Sequence, residues 1–391
     1  MQGGVVVRSL PLSPGREPGG RRKLNDAACI MMVPMSEADL YDYELPEDLI
    51  AQEPLARRTD ARLLHVCRGH GGLAHRQVHD LPEMLRPGDL IVVNDTRVVP
   101  ARLVGHRAAT GGKWEGLFLS ADAEAGTWEI LAQTRGRPAC GERIVLEDRP
   151  GQFANVEPPV SLELLARGSG GSWVVRPTPQ EPAQALLERV GRVPLPGYIR
   201  GGTEEQGDRE RYQTVFARAA GSAAAPTAGL HFTDDLLAAL QARDIGLARV
   251  TLHVGIDTFR PLSTDRLDDH RMHTEWCECP AETVAAIAEA KARGGRVVAI
   301  GTTAVRTLET AAQRSPVGAV SSWMGPTDLF IKPGFLFRVV DCVLTNFHMP
   351  RTTLMVLVST FASRDLIRRA YEEAIRERYR FLSYGDAMLI E

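Results

Sequence analysis

The chain has 391 residues, of which 44% are hydrophobic and 24% charged, and its formal net charge is −3 at pH 7. The length allows two globular domains, while the apolar runs are far shorter than the roughly 20 residues of a membrane-spanning helix, so no membrane association is expected. The small net charge excludes a uniformly basic surface but is compatible with one local basic patch that binds nucleic acid.

The N-terminal residues 1–37 are rich in proline, glycine and arginine and contain no apolar stretch of signal-peptide length. We interpret them as a disordered leader, because such a segment has too little apolar surface to form a core. Short helical segments follow, and an apolar strand is predicted at 89–93. This strand ends on the polar loop Asn94-Asp95-Thr96-Arg97. The loop therefore places polar side chains at the tip of a buried strand.

Between 101 and 192 the pattern changes to short alternating segments separated by glycine-rich turns, for example 116–119, 128–132 and 143–146. This segment predicts an inserted all-β, barrel-like domain. From 193 onward strands and helices alternate. The predicted elements are helices at 234–242, 281–292, 304–314, 352–361 and 364–376 and strands at 249–254, 296–300, 338–344 and 387–390. The fold class predicted is α/β: a discontinuous main domain, 38–100 and 193–391, with a mixed β-sheet flanked by helices.

The predicted strand 296–300 continues into a helix through Gly301, Thr302 and Thr303, and Arg306 follows one turn later. A helix N-terminus offers free backbone N–H groups, and two hydroxyls and a guanidinium accompany them here, which favours an anion site. The alternative is an ordinary helix start in which Thr303 only caps the helix.

Histidines occur in two further loops. His231 follows the small residues Thr227 and Gly229 directly before a helix, and a neutral imidazole there suits proton transfer, although a lone loop histidine is more often structural. Asn346 and His348 follow an apolar strand, at the position where open α/β sheets bind ligands; the alternative is a plain loop.

His253 lies on the predicted strand 249–254, on the same face as Thr251, and alternation leaves open whether that face meets the core or a cleft. The stretch 269–279 contains His270, His273, Cys277 and Cys279, all possible zinc ligands. One residue separates the two cysteines instead of the usual two, so we predict an irregular stretch without a metal.

The remaining cysteines are scattered along the chain, which argues against a disulfide framework. We therefore expect a reducing, cytoplasmic compartment. Basic residues gather at Arg209 and Arg211 and again at Arg378. Such clusters form either solvated helix faces or, where folding brings them together, a surface that binds nucleic-acid phosphates.

Longer motifs recur along the chain in a fixed order, and they include YELPEDLIAQ at 43–52, NDTR at 94–97, ERYQTV at 210–215, APTAGLHF at 225–232, TNFH at 345–348 and YGDAMLI at 384–390. Together they resemble the S-adenosylmethionine:tRNA ribosyltransferase-isomerases of queuosine biosynthesis. The resemblance spans nearly the whole chain after the leader and is weakest in 105–192. The departures are Gly197, Phe216 and Asp257, none of which removes an obvious catalytic group.

The resemblance implies that the amine of 7-aminomethyl-7-deazaguanine, at the wobble position of tRNA, attacks the ribosyl group of S-adenosylmethionine, giving epoxyqueuosine, adenine and methionine. It implies no metal and no cofactor beyond this co-substrate, and we expect a cytoplasmic monomer. We assign proton transfer to Asp95, His231, His253 and His273. We assign binding of S-adenosylmethionine to Asn94, Thr227, Gly229, Gly301, Thr302, Thr303, Arg306, Asn346 and His348, and binding of tRNA to Arg209, Arg211 and Arg378.

Two alternatives stand beside this function. A methyltransferase would also use S-adenosylmethionine, but the chain lacks a Gly-x-Gly-x-Gly string after the first strand of the α/β domain. A non-catalytic RNA-binding module would favour basic loops with exposed aromatic residues, and the 6% aromatic content weakens that reading.

Overall fold

The computed structural model describes residues 36–148, 159–168, 171–255, 261–262, 264–316 and 318–391. The strands are β1 (Arg62–Val66), β2 (Leu73–Gln77), β3 (Leu90–Asn94), β4 (Thr96–Val98), β5 (Arg102–Arg107), β6 (Lys113–Asp122), β7 (Thr127–Thr134), β8 (Arg143–Leu146), β9 (Ser161–Arg167), β10 (Ser172–Thr178), β11 (Ala219–Ser222), β12 (Gly246–Leu252), β13 (Glu275–Cys279), β14 (Val297–Ile300), β15 (Trp323–Thr327), β16 (Cys342–Asn346) and β17 (Ala387–Ile390). The α-helices are α1 (Leu81–Met84), α2 (Ala183–Val190), α3 (Asp208–Arg211), α4 (Asp234–Gln241), α5 (Ala281–Ala292), α6 (Thr302–Gln313), α7 (Thr353–Ala362) and α8 (Arg364–Arg376).

The leader predicted at 1–37 lies outside the described residues except for its last two. Ser36 caps a 3-10 helix, Glu37–Tyr41, through a hydrogen bond from the backbone N–H of Asp39 to the Ser36 hydroxyl. The first described element therefore begins slightly before the predicted boundary.

Nine strands form the main sheet, in the order β15-β13-β12-β3-β14-β16-β17-β1-β2. The four central strands β12, β3, β14 and β16 are parallel, and β17 runs antiparallel to β16. Parallel strands end at the same side of a sheet. The ends of β3, β12, β14 and β16 therefore share one border, which we call the carboxyl edge.

Helices cover both faces of this sheet. Because successive side chains on a strand point to opposite faces, Leu90 and Val92 of β3 pack with α5, α6, α7 and α8, whereas Ile91 and Val93 pack with α1 and α4. Burial on both faces explains the continuous apolar run of β3. The predicted α/β fold, with a mixed sheet flanked by helices, is confirmed.

The inserted segment forms a closed barrel of six strands, in the order β10-β7-β6-β5-β8-β9. Its core is separate from those of the main domain and contains Trp114, Trp128 and Trp173. Helix α2, which the sequence pattern did not predict, packs into the same core through its apolar side. At only eight residues its periodicity is too short to stand out among strands.

Several predicted elements need correction. The stretch 269–279 is not irregular throughout, since β13 occupies its second half and buries Cys277 and Cys279 on one face. Burial raises the pKa of Cys277 to about 11 and that of Cys279 to about 12, so both thiols stay protonated. The strand predicted at 338–344 is β16, shifted toward the C-terminus, and the helix predicted at 304–314 begins two residues earlier.

None of the helices among the described residues is long and apolar enough to cross a membrane.

Candidate active site

The carboxyl edge brings together polar residues that are far apart in sequence. Asn94 ends β3, His253 follows β12, Gly301 follows β14 and Asn346 ends β16. The ends of parallel strands are where open α/β sheets bind ligands. The edge is therefore the first candidate for the site, as the sequence indicated.

Asn94 joins three elements of this edge. Its Nδ2 donates to the carbonyl oxygen of Leu252 (3.0 Å) and to Thr303 Oγ1 (3.2 Å), and its Oδ1 accepts from the backbone N–H groups of Thr96 (3.1 Å) and Leu252 (3.0 Å). An amide side chain has two donor hydrogens and two acceptor sites, so Asn94 is saturated. It holds β12 and the start of α6 in place.

Asp95 is buried directly beside Asn94, with 1% of its surface exposed. Its Oδ1 accepts from Thr251 Oγ1 (2.6 Å), and its Oδ2 pairs with Arg218 Nη2 (2.9 Å). The Arg218 side chain is largely exposed, so one charge of this pair lies in solvent and the other in the interior. Asp95 thus places a buried carboxyl group, held by Thr251 and Arg218, at the carboxyl edge.

His253 is the half-buried histidine of the edge. Its Nδ1 is hydrogen-bonded to Thr96 Oγ1 (2.8 Å), and its ring stacks on Trp276 with centroids 5.2 Å apart and planes inclined by 19°. Burial lowers the pKa of His253, and the charge of Asp95 opposes that shift. Among the described residues its Nε2 has no hydrogen-bond partner, so this nitrogen can meet a ligand.

His231 lies deeper, with 5% of its surface exposed. Asn346 Nδ2 donates to its Nε2 at 3.3 Å, so that nitrogen already acts as an acceptor within the protein. Burial lowers the pKa of His231 to about 4; a hydrogen bond to the backbone of Arg58 opposes that shift, and the charges of Arg58 and Arg380 add to it. The ring is therefore neutral near pH 7.

Asn346 links the loop of His231 to the end of β16. Its Oδ1 accepts from Thr227 Oγ1 (3.0 Å), and its Nδ2 also donates to the carbonyl oxygen of Leu382 (3.1 Å). His348 shares a hydrogen bond with Thr345 Oγ1 (3.1 Å), and burial lowers its pKa to about 3. These side chains form a connected polar layer beneath the edge.

At the predicted anion site at the start of α6, other groups of the protein already bind part of the Arg306 side chain. Arg306 is buried, forms an ion pair with Glu275 and donates from Nε to the carbonyl oxygen of Leu329 (3.1 Å). Its Nη2 is buried without a hydrogen-bond partner among the described residues. Gly301 has φ of 88°, which favours glycine, and places the free N–H groups of Thr302 and Thr303 at the edge.

Gly229 and His273 were predicted as site residues, and the structure places them in other surroundings than expected. A side chain on Gly229 would come within 2.9 Å of Thr214 Cγ2, so this glycine is needed for packing inside the protein. His273 is exposed on the segment that leads into β13, where it lies close enough to His270 to lower that residue's pKa in addition to burial.

A cavity of about 640 Å³ separates the barrel from the main domain. On the main-domain side it is lined by residues 194–198 and by Ala223, whose N–H donates to the carbonyl oxygen of Val254 (3.0 Å), next to His253. Small-molecule sites enclose about 300–1,000 Å³. We call this cavity the interdomain cleft; it is large enough for a nucleoside and adjoins the carboxyl edge.

Tyr198 connects the interdomain cleft to the polar layer. It lines both the cleft and the smaller pocket formed by Asn346 and His348, and its hydroxyl is hydrogen-bonded to Ser383 Oγ (2.7 Å). Tyr198 therefore lies between the deep polar residues and the interdomain cleft.

Comparison with known proteins decides the family. Residues 38–390 match the family model described as queuosine biosynthesis protein. The chain belongs to this family. S-adenosylmethionine:tRNA ribosyltransferase-isomerases from Azoarcus sp. (strain BH72) and Geobacter sulfurreducens are 51% and 47% identical to it, each over 90% of this chain and over 96% and 98% of their own lengths. A crystal structure of an S-adenosylmethionine tRNA ribosyltransferase from Thermotoga maritima, 36% identical, covers 90% of this chain and 100% of that one with a TM-score of 0.50.

The resemblance found in the motifs is thereby confirmed, and the motifs of this queuosine biosynthesis family member lie around the cleft and edge. NDTR joins the end of β3 to β4, APTAGLHF forms the loop of His231, and TNFH ends β16. Sequence reasoning missed Tyr198, Trp276 and Arg218, although Tyr198 lies two residues after the proline-rich string Val193-Pro-Leu-Pro196.

The three arginines predicted to bind tRNA each pair with a different acid. Arg209 pairs with Glu188, Arg211 with Asp208 and Arg378 with Asp48. The pair of Arg378 and Asp48 is exposed on both sides, and such a pair contributes little stability and exchanges easily for phosphate, whereas Asp208 is fully buried. Their role in tRNA binding stays a prediction.

Proposed function

We propose that this protein transfers and isomerises the ribosyl group of S-adenosylmethionine onto 7-aminomethyl-7-deazaguanine at the wobble position of tRNA. Adenine and methionine are released, and epoxyqueuosine remains in the tRNA. The observation that carries this proposal is the interdomain cleft, a nucleoside-sized cavity that adjoins a carboxyl edge equipped with a histidine, a carboxylate and a helix N-terminus. The relatives named for this reaction support the proposal, because the match covers 96% and 98% of their lengths.

The chemistry requires a base first. The positive sulfonium of S-adenosylmethionine acidifies the C5′ hydrogens, so a modest base can remove one and the resulting ylide expels adenine. Among the candidate histidines we favour His253, because its Nε2 has no partner within the described ranges and its Nδ1 is fixed by Thr96. The charge of Asp95 would stabilise the imidazolium that forms.

The co-substrate also needs an anchor for its methionyl carboxylate. The N–H groups at the start of α6, and Nη2 of Arg306, which has no hydrogen-bond partner among the residues that the structure describes, would provide donors for one. Thr302, Thr303, Asn346 and His348 would complete this end of the site. The sulfonium itself activates the ribosyl group, so we propose that no metal or further cofactor takes part.

We further propose that the protein acts as a cytoplasmic monomer. Its substrate tRNA occurs in that compartment, and the described cysteines 67, 140, 277, 279 and 342 are free thiols, as a reducing environment favours. Gel filtration with light scattering should give the mass of one chain.

The decisive experiment incubates the protein with S-adenosylmethionine and a tRNA that bears the aminomethyl-deazaguanine. Adenine and methionine, identified by mass spectrometry in equal amounts with the modified tRNA, are the expected products. S-adenosylhomocysteine would indicate a methyltransferase instead. Binding of tRNA without any product would indicate the non-catalytic module.

A further inference from the structure

The barrel contributes one complete wall of the interdomain cleft. Along β6 and β7 the inward positions, such as Trp114 and Trp128, fill the barrel core, so the alternate positions face outward. The outward side chains that line the cleft are Arg102 on β5, Glu115 and Leu117 on β6, and Leu131 and Gln133 on β7. We call these five residues the barrel wall.

The strand register orders the barrel wall into an apolar part and a polar part. Leu117 lies directly opposite Leu131, and Glu115 lies directly opposite Gln133. Directly opposed residues have side chains close enough to contact one ligand together. The wall therefore offers a flat pair of leucines with a carboxylate and an amide at one end.

Arg102 fixes the orientation of Glu115. Its Nη2 donates to Glu115 Oε2 at 2.8 Å, and its Nη1 donates to the carbonyl oxygen of Gly202 in the main domain. The Glu115 side chain nonetheless keeps 53% of its surface exposed. A carboxylate can accept about four hydrogen bonds, so Glu115 retains acceptor sites that face the cleft.

We infer that the barrel wall binds the deazaguanine base of the tRNA, an inference that rests on the proposed function and gives the barrel its role. A guanine-type base presents two parallel donors, N1–H and the exocyclic N2–H, beside one acceptor, O6. Glu115 accepts from the two donors, the Gln133 amide donates to O6, and the ring lies against Leu117 and Leu131.

This orientation also directs the reacting amine. The aminomethyl group is attached to the five-membered ring, at the end of the base remote from N1 and N2. When the donor edge meets the barrel, the amine therefore points across the cleft toward the carboxyl edge and His253. The two walls of the cleft match the two ends of the substrate base.

The adenine of S-adenosylmethionine fits the barrel wall less well. Its corresponding edge has one donor, N6–H, beside the N1 lone pair, so a carboxylate that accepted from N6 would bring its second oxygen against that lone pair. The barrel wall thus selects the base of the tRNA over that of the co-substrate.

The test replaces Glu115 by glutamine, which keeps the shape and removes the charge and one acceptor. A bidentate base contact is worth about 1–3 kcal/mol, so Glu115→Gln should raise KM for tRNA by about 5- to 160-fold and leave KM for S-adenosylmethionine unchanged. The matched control is Glu163→Gln, because Glu163 is an exposed barrel acid, paired with Arg176, that does not line the cleft. The control should behave as the wild type.

A second measurement tests the contact between Glu115 and the donor edge of the base by itself. Unreactive tRNAs with guanine or inosine at the wobble position serve as competitors in a binding assay, because inosine lacks the exocyclic amine. The wild type should prefer guanine by about tenfold, and Glu115→Gln should lose that preference. Gln133→Glu, which replaces the donor to O6 by an acceptor, should weaken the binding of both competitor tRNAs.

Three outcomes would overturn the inference: an unchanged KM for tRNA in Glu115→Gln, an increase confined to S-adenosylmethionine, or a retained preference for guanine. Failure of the proposed function looks different, because the wild type would then release no adenine from the authentic substrate. The competitor assay involves no turnover and tests the barrel wall in either case.

Discussion

At the residue scale, His231 and His253 differ in what their ring nitrogens can still bind. Nε2 of His231 already accepts a hydrogen bond from Asn346, and its pKa of about 4 makes it a poor proton acceptor near pH 7. Nε2 of His253 has no partner in the part of the chain that the structure describes, and although burial lowers the pKa of His253, the charge of Asp95 opposes that shift. Sequence reasoning could not rank the two, because both follow small or apolar residues at the ends of elements.

We therefore expect His253→Gln to lower kcat by about 10²–10⁴-fold, the range for lost proton transfer, with little change in S-adenosylmethionine affinity. Single-turnover release of adenine measures the chemical step directly, and calorimetry measures the affinity. His231→Gln is the matched comparison, and it should lose thermal stability more than chemistry. The reverse ranking in single-turnover rates would return the role of base to His231.

The buried histidines also predict how stability depends on pH. The pKa of His231 is about 4 in the native state and near 6.5 in the unfolded chain, so only the unfolded chain binds a proton between these values. Stability should fall as the pH drops through this window and stay constant above it. The slope is at most about 1.4 kcal/mol per pH unit for one histidine.

Urea unfolding at several pH values between about 7 and 5 measures how the free energy of unfolding changes with pH. His231→Gln should show a shallower decline than the wild type, while His348, with a pKa of about 3, continues to contribute. Parallel declines in both proteins would mean that His231 titrates normally in the native state.

At the scale of elements, the ion pair of Arg306 and Glu275 ties α6 to the start of β13. Glu275 also accepts from the backbone N–H of Gly255 (2.9 Å), so the pair holds the chain beyond β12 as well. Both side chains are almost fully buried. Removal of one partner leaves an uncompensated charge in the interior.

Arg306→Met should accordingly cost about 3–5 kcal/mol of stability, measured by urea unfolding. The double variant Arg306→Met with Glu275→Met should recover a large part of that loss, because neither charge remains. Although its stability is recovered, the double variant should bind S-adenosylmethionine more weakly than the wild type in calorimetry if Nη2 of Arg306 holds the methionyl carboxylate. Normal affinity in the double variant would exclude that contact, and a loss below about 1 kcal/mol in the single variant would contradict the buried pair.

Elements with a strong local signal were predictable from the sequence. α5, α8 and β17 have the predicted bounds because caps, periodicity or a continuous apolar run define them. β2 and β13 were missed, since β2 is mostly exposed and β13 mixes acids and cysteines, and only pairing with neighbouring strands stabilises them. The saturation of Asn94 was equally hidden, because its partners Leu252 and Thr303 are remote in sequence.

At the scale of the whole molecule, the barrel is an insertion with its own core. The hydrophobic cores of the main domain contain none of the described barrel residues, and the chain enters and leaves the barrel at one place. There the N–H of Arg102 donates to the carbonyl oxygen of Arg192 (3.1 Å) and the N–H of Arg192 donates to that of Arg102 (2.8 Å). Such a doubly bonded antiparallel pair can be closed by a two-residue turn.

Replacement of residues 103–191 by Asn-Gly should therefore leave a main domain that folds, because its nine-stranded sheet and covering helices keep their contacts. We expect cooperative urea unfolding with a smaller m-value, in proportion to the surface removed, and an unchanged circular dichroism signal from the remaining helices. The shortened chain should release no adenine, because the interdomain cleft has lost its second wall. The full-length chain, prepared in parallel, is the control. Turnover by the shortened chain would show that the main domain alone binds both substrates, whereas an unfolded product would show that the barrel stabilises the sheet through contacts outside its own core.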